Sequence, residues 1–123
     1  MHYLFILTNR PKGTIYFGAD DDLRARVAAH KAGKVAGLNY KHKACEQLVW
    51  FEVHPDQVSA AARQADMLSW NRSDVIRRIR ILNNHWRDLT DTLDEQTLAD
   101  PARIFPSDSA LPPPKARPVK PQL

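Results

Sequence analysis

The chain of 123 residues has one cysteine and no long apolar run, and both absences exclude classes of protein. The lone thiol of Cys45 cannot form an internal disulfide, and it cannot supply the ligand spacing of a thiolate metal centre. No apolar stretch approaches the roughly 20 residues that a membrane-spanning helix needs. The N-terminus has no basic segment before its short apolar stretch, so it does not resemble a signal peptide. We therefore expect a cytoplasmic protein without a membrane partner.

Acidic residues are missing from a long basic segment near the N-terminus. From Arg24 to Lys43 the chain has six Lys or Arg and no Asp or Glu, and a second basic cluster lies at residues 72–80. Such clusters suit the phosphates of a nucleic acid, and the alternative is a solvated basic surface without a ligand. The predicted nucleic-acid-binding residues are Arg24, Lys31, Lys34, Lys41, Lys43, Arg72, Arg77, Arg78 and Arg80.

The first third of the chain has the pattern of a β-hairpin followed by a helix. Residues 2–8 and 14–18 are rich in β-forming side chains, and the Asn, Pro and Gly between them supply turn chemistry. Three aspartates at residues 20–22 precede an apolar pattern that predicts a helix from residue 23 to Gly33. An aspartate can cap this helix by accepting from its free N–H groups. Residues 34–46 are polar and basic, which predicts a loop.

The middle of the chain predicts one more strand and two more helices. Residues 47–53 are β-branched and aromatic, as in a strand. A helix is expected over residues 58–70, and another from an N-cap at Ser73 to about Leu82. The predicted inward stripe of the first of these helices consists of Val58, Ala61, Ala62, Ala65 and Leu68. The order β-β-α-β-α-α predicts an α+β fold with helices packed on a sheet.

The C-terminal part changes in composition. Seven of the nine prolines lie between residues 101 and 123. Proline fixes φ and lacks an N–H donor, so it favours extended and solvated chain. We therefore divide the chain into a folded domain over residues 1–93 and a proline-rich tail over residues 94–123, disordered from about residue 100. Use of the tail as a peptide ligand is the alternative to plain disorder.

Five short segments form an ordered series of motifs between residues 3 and 89. They are Tyr3-Leu4-Phe5, Tyr16-Phe17-Gly18, Leu23-x-x-Arg26-x-x-x-His30, Leu48-Val49-Trp50-Phe51-Glu52, and Ala62-Arg63-Gln64 through Trp70 followed by Asn83-x-x-Trp86-Arg87-Asp88-Leu89. In order and separation they resemble the GIY-YIG nuclease superfamily, in its small stand-alone bacterial type related to the N-terminal domain of the excinuclease C subunit. The resemblance implies a small three-stranded antiparallel sheet flanked by helices, a nucleic-acid partner with DNA as the expected form, and a place in DNA repair or recombination.

The resemblance also implies catalytic roles, because the family hydrolyses phosphodiesters with a divalent ion. Tyr16 matches the tyrosine near the attacking water, and Arg26 matches the arginine that steadies the scissile phosphate. His30, one helical turn after Arg26, matches the histidine that assists the water or the tyrosine. Asn83, the first residue of the terminal motif, is the last of the candidate catalytic residues. Phe5 replaces the tyrosine of the first triplet, so one hydroxyl is missing.

The position of the metal ligand is also substituted. Gln64 stands where the family places the glutamate that holds its divalent ion, and an amide keeps a carbonyl oxygen but loses the charge. Asp20 and Asp21 are the nearby carboxylates that would have to hold Mg²⁺ or Mn²⁺ in an active enzyme. Helix capping is the alternative role for these aspartates.

These substitutions predict a DNA-binding member of the superfamily whose hydrolytic site is impaired or inactive. One alternative is an active metal-dependent endonuclease that uses Tyr16, Arg26 and His30 and holds its metal through Asp20 or Asp21. The other is a non-catalytic scaffold for a protein partner. The sequence carries no signal for an oligomeric state.

Overall fold

The computed structural model describes residues 1–38 and 40–99, and in this part the expected order of strands and long helices is confirmed. A short helix, α2, lies inside the segment predicted to be a loop. The elements are β1 (His2–Thr8), β2 (Ile15–Asp20), α1 (Leu23–Lys31), α2 (Tyr40–Lys43), β3 (Gln47–His54), α3 (Gln57–Ser69), α4 (Arg72–Leu82), a 3₁₀ turn (Thr90–Thr92) and α5 (Glu95–Leu98). In these residues, no helix is long and apolar enough to cross a membrane.

The sheet is three-stranded and antiparallel, as expected, with the order β2-β1-β3. The hairpin register places Phe5 opposite Gly18 and Leu7 opposite Tyr16. On its other side, β1 pairs with β3 and places Phe5 opposite Phe51. β2 is therefore an edge strand, and its outer side is open to contacts from the helices.

Helices cover both faces of the sheet. Alternate side chains of β1 point to opposite faces, so β1 contributes to a core on each side. Tyr3, Phe5 and Leu7 pack with Leu23 and Val27 of α1 in one core. The second core contains Leu4 and Ile6 of β1 and the side chains Met67, Trp70, Val75 and Ile79 from the α3–α4 region. Side chains from α1 and from α3 are thus separated by the sheet, and both helices contact the edge strand β2.

Side-chain caps define where the helices begin. Asp22 accepts from the N–H of Ala25 at 3.1 Å, which confirms that an aspartate caps α1. Asn71 caps α4 by accepting from the N–H of Asp74 at 3.0 Å. The prediction of Ser73 as this N-cap is wrong, because Ser73 lies in the first turn and donates its hydroxyl to Asn71. α4 therefore begins earlier than predicted.

The inward face of α3 also differs from the prediction. Val58 and Leu68 are 79% and 47% exposed, and Ala61, Ala62 and Ala65 are exposed as well, so the predicted stripe is wrong at all five positions. Ala60 and Met67 are the buried residues of this helix. The half-buried turn between them contains Arg63 and Gln64, whose polar groups find partners in the sheet.

The folded unit extends beyond the predicted boundary at residue 93. Tyr3 donates its hydroxyl to the carbonyl of Leu98 at 2.6 Å, and Arg24 donates from Nε to the carbonyl of Leu93 at 2.6 Å. Leu93 is buried, and the half-buried Leu89 and Leu98 pack on the core beneath α1. Residues 94–99, predicted to belong to the tail, are therefore part of the domain. The proline-rich segment from residue 100 onwards lies outside the described residues.

Candidate active site

Three aromatic rings meet between the hairpin and α1. The ring centroids of Tyr16 and His30 are 4.9 Å apart, and Phe5 lies 6.5 Å from Tyr16 and 6.4 Å from His30. His42 contacts the other side of Tyr16, at 5.2 Å between centroids. Tyr16 and Phe5 meet because their strands are adjacent. His30 joins them because it lies on the same face of α1 as Leu23 and Val27.

Burial disfavours the charged form of the His30 imidazole. Its side chain is 2% exposed, and neither ring nitrogen has a hydrogen-bond partner among the described residues. Burial, and then the nearby positive charge of Arg26, lower the pKa of His30 below its ordinary value. A neutral imidazole beside a phenol retains a nitrogen lone pair that can accept a proton.

The lowered pKa of His30 predicts a pH-dependent stability. In the pH interval between its folded and unfolded pKa values, the unfolded chain binds more protons, so stability rises with pH there. We expect the free energy of unfolding to decrease as the pH falls from about 7.5 to about 5.5, through the ordinary histidine pKa of about 6.5. Urea unfolding of the wild type and of His30→Gln measures this difference. An equal pH dependence in both proteins would contradict the assignment.

Arg26 reaches the end of the edge strand from α1. Its Nε lies 3.9 Å from the carboxylate of Asp20, and the two side chains are 39% and 30% exposed. Partial burial opposes ionisation of Asp20, but hydrogen bonds from Asp22 and Asp21 and the charge of Arg26 hold its pKa below the usual range. An ionised Asp20 therefore competes with a phosphate for this guanidinium. Asp20 also accepts from the N–H of Asp22 at 2.9 Å, so it helps to begin α1.

Gln64 reaches the same edge strand from α3, on the opposite face of the sheet. Its Nε2 lies 3.5 Å from the carbonyl oxygen of Phe17, which makes a long hydrogen bond. The amide thus directs a donor at β2, where a metal ligand would need an anionic oxygen. Among the described side chains, no three His, Cys, Asp or Glu come together in a group that could hold a metal ion. At this point of β2, Gln64 offers a divalent ion an amide and no carboxylate.

The sequence of residues 1–80 matches the GIY-YIG catalytic domain family. The chain belongs to the GIY-YIG family. No curated protein and no solved structure gives a significant match to the chain. Membership links this domain to the nuclease superfamily, whose members generally depend on divalent metals.

A buried ionic network adjoins Gln64 in this GIY-YIG domain and was not predicted from the sequence. Glu52 of β3 is fully buried and accepts from Arg63 of α3 at 3.1 Å. Trp50 Nε1 and His54 Nε2 lie 3.2 and 3.0 Å from the same carboxylate. The network fixes α3 on the sheet and so positions Gln64, the neighbour of Arg63. The sequence did contain a signal for this network, which is a glutamate inside an apolar strand. A buried carboxylate requires a cationic partner.

Several of the predicted phosphate-binding cations hold the GIY-YIG domain together. Arg78 is 3% exposed, and its guanidinium lies 4.5 Å from the ring centroid of Trp70. We therefore remove Arg78 from the predicted binding surface, because a buried cation does not meet a phosphate backbone. Arg24 is bonded to the carbonyl of Leu93, and Lys31 is bonded to the carbonyl of Glu46 at 2.8 Å and to Asp88.

The remaining predicted cations are more open. Lys34 and Lys43 are exposed and lie within the segment between α1 and β3. Arg77 and Arg80 line an open groove of about 350 Å³ on α4, with Ile81 and Asn84. Arg77 also lies 3.9 Å from Asp74 but keeps 56% of its side chain exposed. The side chain of Lys41 lies outside the described part of the structure.

Asn83 does not join the candidate site, although the motif predicted it there. Its Nδ2 donates to the carbonyls of Val49 at 3.2 Å and Arg87 at 2.8 Å, and its Oδ1 accepts from the N–H of Arg87 at 2.9 Å. Val49 belongs to β3, the strand at the opposite edge of the sheet from β2. The predicted catalytic role is thus replaced by a structural one, which is to close the turn after α4.

Proposed function

We propose that this GIY-YIG protein binds DNA in the cytoplasm, in repair or recombination, and that its phosphodiester-hydrolysing site is impaired or inactive. The observation that carries the proposal is Gln64. The resemblance of its helix to the family's assigns Gln64 the position of the metal-binding glutamate, and its amide donates to the carbonyl of Phe17. An amide there lacks the charge that attracts a cation to the scissile phosphate.

The other elements of the site support binding more than hydrolysis. In-line attack requires a proton acceptor, stabilisation of the phosphate charge and help for the leaving oxygen. The rings of Tyr16 and His30 are in contact, but neither His30 nitrogen has a hydrogen-bond partner among the described residues, so the two side chains form no proton route in this arrangement. Arg26 is partly exposed and can bind a phosphate, but Asp20 offsets its charge. Substrate can therefore be held without efficient cleavage.

Binding to DNA is expected to weaken steeply with salt, because the exposed cations displace counterions from phosphates. The change to test is the double variant Arg77→Gln/Arg80→Gln, at two exposed cations of one groove. It should lose about two phosphate contacts and reduce the slope of log affinity against log salt by about 1.8. The loss should be the same for unrelated sequences, because phosphate contacts carry no base information.

Fluorescence anisotropy of labelled duplexes measures this salt dependence. The matched control is Arg87→Gln, which removes an exposed cation outside both basic clusters and should leave the slope near that of the wild type. Affinity that does not change with salt would contradict DNA binding and favour the scaffold function. Robust nicking by the wild type with Mg²⁺ or Mn²⁺, lost in Arg26→Ala, would instead favour an active endonuclease with its metal at Asp20 or Asp21.

A further inference from the structure

A third basic surface lies at the turn between β1 and β2, outside the two basic clusters of the sequence. Arg10 and Lys12 of the turn and Arg72 at the start of α4 line an open notch of about 400 Å³. Within residues 1–38 and 40–99, none of these three cations forms an ion pair with a carboxylate. Their charge is therefore available to an anionic ligand.

The hairpin turn that carries Arg10 and Lys12 is firmly held. Arg72 donates from Nη2 to the carbonyls of Lys12 at 2.9 Å and Gly13 at 2.5 Å, and Thr14 donates its N–H to Asn9 Oδ1 at 2.9 Å. Lys12 has a φ of 57°, a left-handed conformation that is unfavourable for a lysine. Such conformations persist where the surrounding bonds enforce them, often at binding sites. The bonds thus fix the turn before any ligand arrives, which reduces the entropic cost of binding.

An apolar and aromatic recess opens directly beside the notch. It has a volume of about 130 Å³ and is lined by Ile15, Phe17, Met67, Trp70, Arg72 and Val75. Ile15 and Arg72 line both the recess and the notch, so the two lie next to each other. The recess is smaller than the pockets of drug-sized ligands, about 300 to 1,000 Å³. Its size suits a single flat ring system.

The recess also adjoins Gln64, on the face of the sheet opposite Tyr16 and His30. Phe17 lines the recess, and its carbonyl oxygen accepts from Gln64. Along β2, Asp20 lies three residues further, a distance of about 10 Å. A strand of nucleic acid bound at the turn and in the recess could therefore extend along β2 to Asp20, which Arg26 contacts.

We propose that the notch and the recess form one subsite for an unpaired nucleotide. The base lies against Phe17 in the recess, and the adjoining phosphates contact Arg10, Lys12 and Arg72. A nucleotide combines a flat ring with neighbouring anions, so it matches both parts of the subsite at once. This inference rests on the proposed DNA binding, and it specifies the substrate class as duplex DNA with an adjacent single-stranded segment.

The test compares a blunt duplex with the same duplex carrying a single-stranded overhang, using the full chain. We expect the overhang to raise affinity about tenfold. Phe17→Leu retains apolar bulk but loses the aromatic face, so it should remove most of this gain and weaken blunt-duplex binding much less. Arg10→Gln with Lys12→Asn, in which Asn tolerates the left-handed backbone, should lower the salt slope of overhang binding by about 1.4. The matched control Arg80→Gln should weaken both substrates equally.

A second readout does not depend on affinity. Bromouracil in the overhang should crosslink under ultraviolet light to the β2 peptide that contains Phe17, as identified by mass spectrometry. Salt-dependent duplex binding without any gain from the overhang would overturn this subsite alone, whereas no binding to either substrate would overturn the proposed function as well. A polyglutamate peptide is the second competitor. If it competes as strongly as a single-stranded oligonucleotide, the nucleotide subsite is overturned in favour of a site for an acidic protein ligand.

Discussion

Gln64→Glu is expected to increase metal-dependent nicking by about two orders of magnitude, starting from a wild type with little or no activity. Glutamate has nearly the same shape as glutamine, so the packing of α3 should survive. Its carboxylate cannot donate to the carbonyl of Phe17, and the two oxygens repel each other unless a cation lies between them. The substitution therefore creates the charge that Mg²⁺ or Mn²⁺ requires beside the site.

Adding Phe5→Tyr to this variant is expected to raise activity further. The Phe5 ring lies across Gly18, and its para carbon is so close that a Cβ at residue 18 would be only 2.3 Å away. A hydroxyl on that para carbon would extend from the central strand over β2. It would restore the phenol that the first triplet of the family has.

A plasmid-nicking assay with EDTA controls measures these changes, and calorimetry with Mn²⁺ measures metal binding separately. Gln57→Glu is the matched control, because it adds the same charge at an exposed position of the same helix. Removing Arg26 or Tyr16 from the active variant should abolish the gain. Equal activity of Gln64→Glu and the wild type would contradict loss of the metal as the main defect.

The second large effect concerns stability. Glu52→Gln is expected to lower the free energy of unfolding by about 3 kcal/mol or more, the range found when one partner of a buried ion pair is removed. Arg63 is only 18% exposed in its side chain and would lose its buried carboxylate partner. Its contacts with the exposed Asp66, at 3.9 Å, and with the Trp70 ring, at 5.0 Å from the centroid, do not replace a buried bidentate ion pair.

Urea unfolding of both proteins at neutral pH measures this loss. Glu46→Gln removes the same charge from an exposed side chain just before β3, and it should change stability by no more than about 0.5 kcal/mol. A decrease of less than about 1 kcal/mol for Glu52→Gln would contradict the structural role of the network, since it would mean that Arg63 reaches solvent at little cost.

Local chemistry made the hairpin and α1 predictable from the sequence. Turn residues between two β-rich runs fix a hairpin, and the aspartates before Leu23 mark a helix start. The four-residue spacing of Arg26 and His30 then places them on one side of α1. Each of these features depends on residues close in the chain, so pattern alone identified them.

The remaining features depend on partners that are distant in the chain. The inward face of α3 includes Arg63 and Gln64 because Glu52 and the carbonyl of Phe17 lie opposite, and an apolar pattern does not register such partners. Arg78 looks like a surface cation in the sequence, but it is buried against Trp70. Composition counts charges, whereas burial depends on the tertiary contacts.

Tyr3 and Arg24 form hydrogen bonds to residues 93–98, so the packed structure extends further along the chain than the family match does. The family match ends at residue 80, yet Leu93 and Leu98 cover apolar side chains of the core beneath α1. A fragment cut at the end of the family match would leave that core open to solvent and prone to self-association. A domain boundary taken from the family match alone would thus divide one hydrophobic core.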